Sequence, residues 1–158
     1  MRDINLQKST GSMILVVEDQ ATDAKLIRRA IDRAGLNVPV TLVSSGEKAI
    51  SLVKEYFGGA IDHHDAPPVL MLLDLNLPGM NGFEILRELK GMNQLKRLPI
   101  VVLTSSDEPA DVDRAYDLGA NGYVVKPLDG NGYDALAEKI GSFWFGSNIA
   151  PSVTAPAT

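Results

Sequence analysis

The chain reads as an α/β protein: a doubly wound parallel sheet in which five strands alternate with five helices. Three observations predict this. Short apolar runs rich in β-branched residues recur five times, segments with apolar residues three and four apart fall between them, and glycine or proline marks the joints. Runs that stay apolar on successive residues fit strands covered on both faces, as in a parallel sheet with helices above and below. Right-handed crossovers would connect them, and pattern alone leaves the strand order open.

The first strand is MILVV (13–17). The helix after it, over 22–34, places Leu26, Ile27, Ala30, Ile31 and Ala34 on one face, and Gly35 marks its end. VPVTLV (38–43) is the second strand, and its helix turns Ala49, Ile50, Val53, Tyr56 and Phe57 inward before stopping at Gly58-Gly59. VLMLL (69–73) is the third, followed by a helix carrying Phe83, Leu86 and Leu89. After the fourth, PIVVLT (99–104), Pro109 suits a helical first turn behind Asp107; Val112, Ala115 and Tyr116 share a face, and Gly119 closes it. GYVV (122–125) is the fifth strand, and Leu136, Ile140, Phe143 and Trp144 form the last helix. Phe143, Trp144 and Phe145 cannot all face one core at helical spacing. Two are expected inside and one, Phe145, exposed or used in self-association, which would give a homodimer.

The 158 residues suit one domain with a sizeable core. Residues 1–12 read as a flexible arm, 13–145 as the folded domain, and 146–158 as a small, polar, disordered tail. With no cysteine, disulfides, thiol nucleophiles and Cys-ligated zinc drop out. The start MRDINLQKSTGS is polar rather than signal-like, and no apolar run nears the ~18 residues needed to span a bilayer, so a cytoplasmic protein without a membrane partner is expected. A net charge of -5 is spread along the chain and leaves no basic stripe for nucleic acid. Arg28, Arg29 and Arg33 read as a solvated helix face. His63 and His64, in the long loop 58–68, read as a solvated turn rather than a metal site. DGNGYD follows the last strand and lacks the third glycine of a dinucleotide fingerprint.

One run ends oddly. VLMLL terminates on an ionisable Asp74, and a carboxylate at the edge of a core costs several kcal/mol unless its desolvation is offset. In a parallel α/β sheet, ligands bind outside the carboxyl ends of the strands. Those ends deliver Glu18-Asp19, Asp74, Thr104-Ser105-Ser106 and Lys126-Pro127, while the second strand delivers only Ser44-Ser45-Gly46. Clustered carboxylates push one another toward protonation and need a cation. Oxygen donors without His or Cys suit Mg²⁺.

ILVVEDQATD, MLLDLNLPGMNGFEIL, IVVLTSSD and GANGYVVKPL, in this order, resemble the receiver domain of bacterial response regulators over residues 13–145. The resemblance implies a flavodoxin-like sheet in strand order 2-1-3-4-5 and a two-component phosphorelay in which a sensor histidine kinase donates a phosphoryl group. It makes Asp74 the phosphoacceptor; Asp19 holds Mg²⁺ directly, with Asp74 and the Asn76 carbonyl, and Glu18 holds it mainly through water. Lys126 matches the family's invariant lysine, Thr104 the switch hydroxyl and Tyr123 the aromatic switch position, while Asn76 and Ser106 tune hydrolysis. On family grounds Lys126–Pro127 is a candidate cis bond. The long loop before the third strand and the lack of an output domain are similar to stand-alone receivers that partner phytochrome histidine kinases.

Two other readings compete. A degenerate receiver would serve only as a docking scaffold. An aspartate-nucleophile phosphatase would need a second carboxylic acid two residues beyond Asp74, and that position is Asn76, an amide.

Overall fold

A computed structural model describes residues 12–57 and 67–151. Ten elements alternate along it: β1 (Met13–Val17), α1 (Ala21–Arg33), β2 (Val40–Val43), α2 (Gly46–Phe57), β3 (Pro68–Leu73), α3 (Gly82–Lys90), β4 (Ile100–Thr104), α4 (Pro109–Asp117), β5 (Gly122–Val125) and α5 (Gly130–Ser142). The strands form one parallel sheet ordered β2-β1-β3-β4-β5, the order that the resemblance implies. Period-2 alternation divides the strand side chains between two apolar layers. Met13, Leu15, Val17, Met71, Leu73 and Val102 pack with α2 and α3; Ile14, Val16, Leu70, Leu72, Val101 and Leu103 pack with α1 and α5.

The three inner strands are buried almost throughout, as their apolar runs require. β2 and β5 are only half-buried, and Val125 is exposed, although the sequence reads them as covered on both faces. They are the sheet's edges, with a neighbour on one side only. Helix stops follow the expected chemistry where they are described: Gly35 and Gly119 take positive φ, and Pro109 opens α4 behind an extended Glu108. Gly58-Gly59, His63 and His64 lie outside the described residues, as do residues 1–11, nearly all of the expected N-terminal arm, and most of the expected tail.

The arginines of α1 are exposed as expected. Arg28 donates to the Val40 carbonyl at 2.8 Å, and Arg33 pairs with Asp134 at 3.2 Å. At the chain's end the sequence reading needs correction: Phe143 is the outward aromatic, 51% exposed, while Trp144 and Phe145 pack against the α1/α5 layer. The cause is local. α5 runs into a wider π turn at Phe143–Ser147, which advances fewer degrees per residue than an α-helix and so alters the face on which each aromatic leaves the axis. No helix among the described residues is long and apolar enough to cross a membrane.

Candidate phosphoacceptor and metal site

Sheet register assembles the site. Val17 pairs with Leu73, so the next residues, Glu18 and Asp74, emerge side by side at the same edge. The Asp74 amide donates to the Val17 carbonyl at 3.1 Å, and the Glu18 amide to that of Val43 at 3.0 Å. Two strands away, Thr104 pairs with Val125, and Lys126 follows directly. Residues 52 positions apart thereby meet: Lys126 Nζ lies 2.8 Å from Asp74 Oδ2.

The turn after β3 is built to hold Asp74 still. Its Oδ1 accepts from the Asn76 amide at 3.0 Å, closing a short loop back onto the strand end. Gly79 has φ +71°, a left-handed conformation that L side chains rarely adopt. Glu47, at the start of α2, accepts from the Met80 amide at 3.2 Å, and Asn81 caps α3 by accepting from the Glu84 amide at 3.0 Å. Gly82 then passes so close that a Cβ there would stand 2.5 Å from the Asp74 carbonyl oxygen.

Four carboxylates surround this edge. Glu18, Asp19 and Asp74 each offer an oxygen within 4.8 Å of the others. Lys126 also contacts Glu18 Oε2 at 2.8 Å and Asp23 Oδ2 at 2.9 Å, so each of its three protons has a carboxylate acceptor. Burial, then the neighbouring Asp74, pushes the Glu18 carboxyl up to about 7, against the lowering influence of Lys126 and the Gln20 amide. Burial works to lower the Lys126 ammonium, but its bonds to Asp74, Glu18 and Asp23 win and raise it. Asp19 Oδ1 is buried with no hydrogen-bond partner. A buried, unpartnered carboxylate oxygen beside two further carboxylates is a donor set that fits a hard divalent cation.

The remaining candidates are distributed unevenly. Thr104 is fully buried, and its Oγ1 accepts from the Asn76 side-chain amide at 3.4 Å. The Ser106 hydroxyl is committed elsewhere, donating to Asp111 Oδ2 in α4 at 2.6 Å. Tyr123 packs against the α2/α3 layer and donates its hydroxyl to the Ser106 carbonyl at 2.9 Å. The Lys126–Pro127 bond is trans, contrary to the family-based expectation of cis: no cis peptide occurs among the described residues. Trans is the lower-energy form of an X–Pro bond by about 0.5–1 kcal/mol. Sequence reasoning passed over Asp23, Glu47 and Asp111. Asp23 alone left a trace, standing at the end of the first quoted motif and four residues past Asp19.

The sheet order and this edge define a class. The chain belongs to the response regulator receiver domain family, which matches residues 14–137. Among its relatives is the response regulator Rcp1 of Synechocystis, 33% identical over 147 residues covering 92% of this chain and 97% of Rcp1. The probable methanogenesis regulatory protein FilR2 of Methanothrix harundinacea is 35% identical, covering 92% of each chain. Among solved structures, the phosphorylated cyanobacterial phytochrome response regulator RcpA superposes with a TM-score of 0.79 at 33% identity, over 90% of this chain and 99% of RcpA. The Mn²⁺-bound form of Rcp1 gives 0.77 at 31% identity, over 89% and 99%. The chain is thus a response regulator receiver, related to phytochrome response regulators, that functions in a two-component phosphorelay.

Proposed function

We propose that Asp74 accepts a phosphoryl group from the phosphohistidine of a sensor histidine kinase of the phytochrome type, in the cytoplasm, and that residues 13–145 form the unit that does so. The observation that carries this reading is the pairing of a buried Asp74 with Lys126 at 2.8 Å beside the Glu18–Asp19 pair. An Asp74 carboxylate oxygen attacks phosphorus in line, the phosphorus–nitrogen bond to the donor imidazole breaks, and an acyl phosphate forms on Asp74. Lys126 neutralises charge on the transferring oxygens from its place beside Asp74 Oδ2. Glu18, Asp19, Asp74 and the Asn76 carbonyl would hold Mg²⁺, whose chemistry here is to neutralise phosphoryl charge and favour in-line geometry.

Thr104 is the group that senses the product: its hydroxyl, now bonded to the Asn76 amide, turns to a phosphoryl oxygen. Movement of that strand end reaches α4 through Ser106, which ties Asp111 by its hydroxyl and Tyr123 by its carbonyl. The surface biased by phosphorylation is therefore α4 with β4 and β5, where Tyr116 and Val125 are already exposed. Asn76 and Ser106 set the lifetime of the acyl phosphate, Ser106 only once it releases Asp111. The supporting relatives are RcpA, solved in a phosphorylated state, and Rcp1, solved with Mn²⁺. Incubation with a small acyl phosphate and Mg²⁺ adds one phosphoryl group to Asp74, detected by intact mass. No label in the wild type, or equal label in Asp74→Asn, overturns the reading and leaves a docking scaffold.

A further inference from the structure

Asp23 has no assigned part in phosphoryl transfer, yet it is one of three carboxylates that hold the Lys126 ammonium. We propose that Asp23 is a positioning residue: it keeps Lys126 at the rim of the site when Glu18 and Asp74 are drawn into other bonds. This rests on the reading of Asp74 as phosphoacceptor.

The three contacts are close in length, 2.8 Å to Glu18, 2.9 Å to Asp23 and 2.8 Å to Asp74, but they do not have the same future. Glu18 and Asp74 belong to the acidic triad whose oxygens lie within 4.8 Å of one another, and a divalent ion competes with Lys126 for both. Phosphorylation ties one Asp74 oxygen into an acyl phosphate, a mixed anhydride, and removes the carboxylate charge from the pair. Asp23 is outside the triad, so its bond to the ammonium survives both events.

The fold suits Asp23 to this task. It lies in the first turn of α1, where the positive end of the helix dipole suits a negatively charged side chain. α1 is fixed to the sheet by Ala24, Ile27, Ala30 and Ile31, all buried, so the carboxylate is carried on a rigid element. Its side chain is 29% exposed, against 2% for Glu18 and 3% for Asp74, which places it at the mouth of the cluster. A lysine side chain has many rotamers, and without an anchor the ammonium would divide its time between the site and solvent. Held between Asp23 and the phosphoryl group, it loses that freedom before reaction rather than during it.

A double-mutant cycle with a spectroscopic companion tests this. Phosphorylation by a small acyl phosphate at saturating Mg²⁺ is measured in wild type, Asp23→Asn, Asp23→Glu, Lys126→Met and the Asp23→Asn/Lys126→Met double variant. Asp23→Asn is expected to slow labelling about tenfold, well inside the ~10²-fold that an ångström-scale misplacement can cost. Asp23→Glu recovers most of the rate, and Asp23→Asn adds nothing once Lys126 is gone. An equal effect in both backgrounds, or none in the wild-type background, overturns the proposal. In parallel, the Lys126 ammonium is followed by ¹H–¹⁵N spectroscopy with Mg²⁺ present. It is protected from solvent exchange in wild type and Asp23→Glu, and unprotected in Asp23→Asn; equal protection in all three refutes the anchor. If the wild type takes no label, the phosphoacceptor reading fails, and the exchange measurement alone decides whether Asp23 holds Lys126.

Discussion

Replacing Lys126 with methionine removes the cation that Glu18, Asp23 and Asp74 share, and the structure sets the scale of the loss. The Glu18 and Asp74 side chains are almost fully buried and the Lys126 side chain is 10% exposed, so two contacts lie out of water; the one with Asp23 is more screened. Deleting one partner of a buried ion pair costs about 3–5 kcal/mol, because the other charge stays behind uncompensated. Both buried pairs use one ammonium and are not additive, so the total stays near that range. For a chain of this length each kcal/mol moves Tm by about 2–4 °C, which gives a fall of about 6–20 °C in metal-free protein near pH 8.

The pH dependence follows from Glu18. Its carboxyl, raised by burial from 4.5 to about 7, binds more protons folded than unfolded between those values. Its contribution is therefore present below about pH 4.5 and is lost as pH rises through about 7. Without Lys126 the carboxyl loses a counter-charge and rises further, so the variant's deficit is smallest near pH 5 and largest near pH 8. Mg²⁺ restores part of it by supplying another cation. Thermal unfolding followed by circular dichroism, at both pH values with and without Mg²⁺, reads this out. A variant that melts with the wild type near pH 8 in the absence of metal, or that loses more near pH 5, refutes the assignment of Lys126 as compensating cation.

Two further changes probe the frame around the site. Gly82→Ala puts a Cβ 2.5 Å from the Asp74 carbonyl oxygen and 2.6 Å from Leu75 Cα, both backbone atoms; it should destabilise by about 1–3 kcal/mol in urea unfolding and slow labelling of Asp74, since the turn that carries it must shift. At the opposite end of β4, Lys90 Nζ donates to the carbonyls of Lys96 and Leu98 and to Asn121 Oδ1, while burial pulls its pKa from 10.5 down to about 8. The folded state sheds this proton first, so the Lys90 contribution to stability rises between about pH 8 and pH 10.5. Lys90→Met should abolish that rise in the urea midpoint while lowering stability near pH 8, since the Lys96 and Leu98 carbonyls lose this donor whereas Asn121 Oδ1 keeps the Ile100 amide.

Much of the molecule is legible in one dimension because the signals are local. An apolar run such as Met13–Val17 can only be a buried strand here, and the residue that ends it is delivered to the sheet edge whatever else the chain does. Glu18, Asp74, Thr104 and Lys126 could therefore be placed at one rim from the strand ends alone. The half-exposure of β2 and β5 could not, because an edge is defined by a missing neighbour rather than by its own residues. Phe143 and Phe145 exchanged their expected environments for a similar reason: a wider turn after Ser142 changed the angle at which each leaves the axis.

The sequence by itself determined the layer pattern, the five strand ends and the chemistry gathered there, since hydrophobic periodicity and residue type act over a few positions. Only the tertiary structure decided which groups share a proton or an ion. Asp23 bonds Lys126 across 103 residues, and Ser106 turns to Asp111 rather than into the site. Such contacts depend on side-chain direction at ångström precision between separate elements, and that is fixed by how α1 and α4 pack on the sheet, which no local pattern contains.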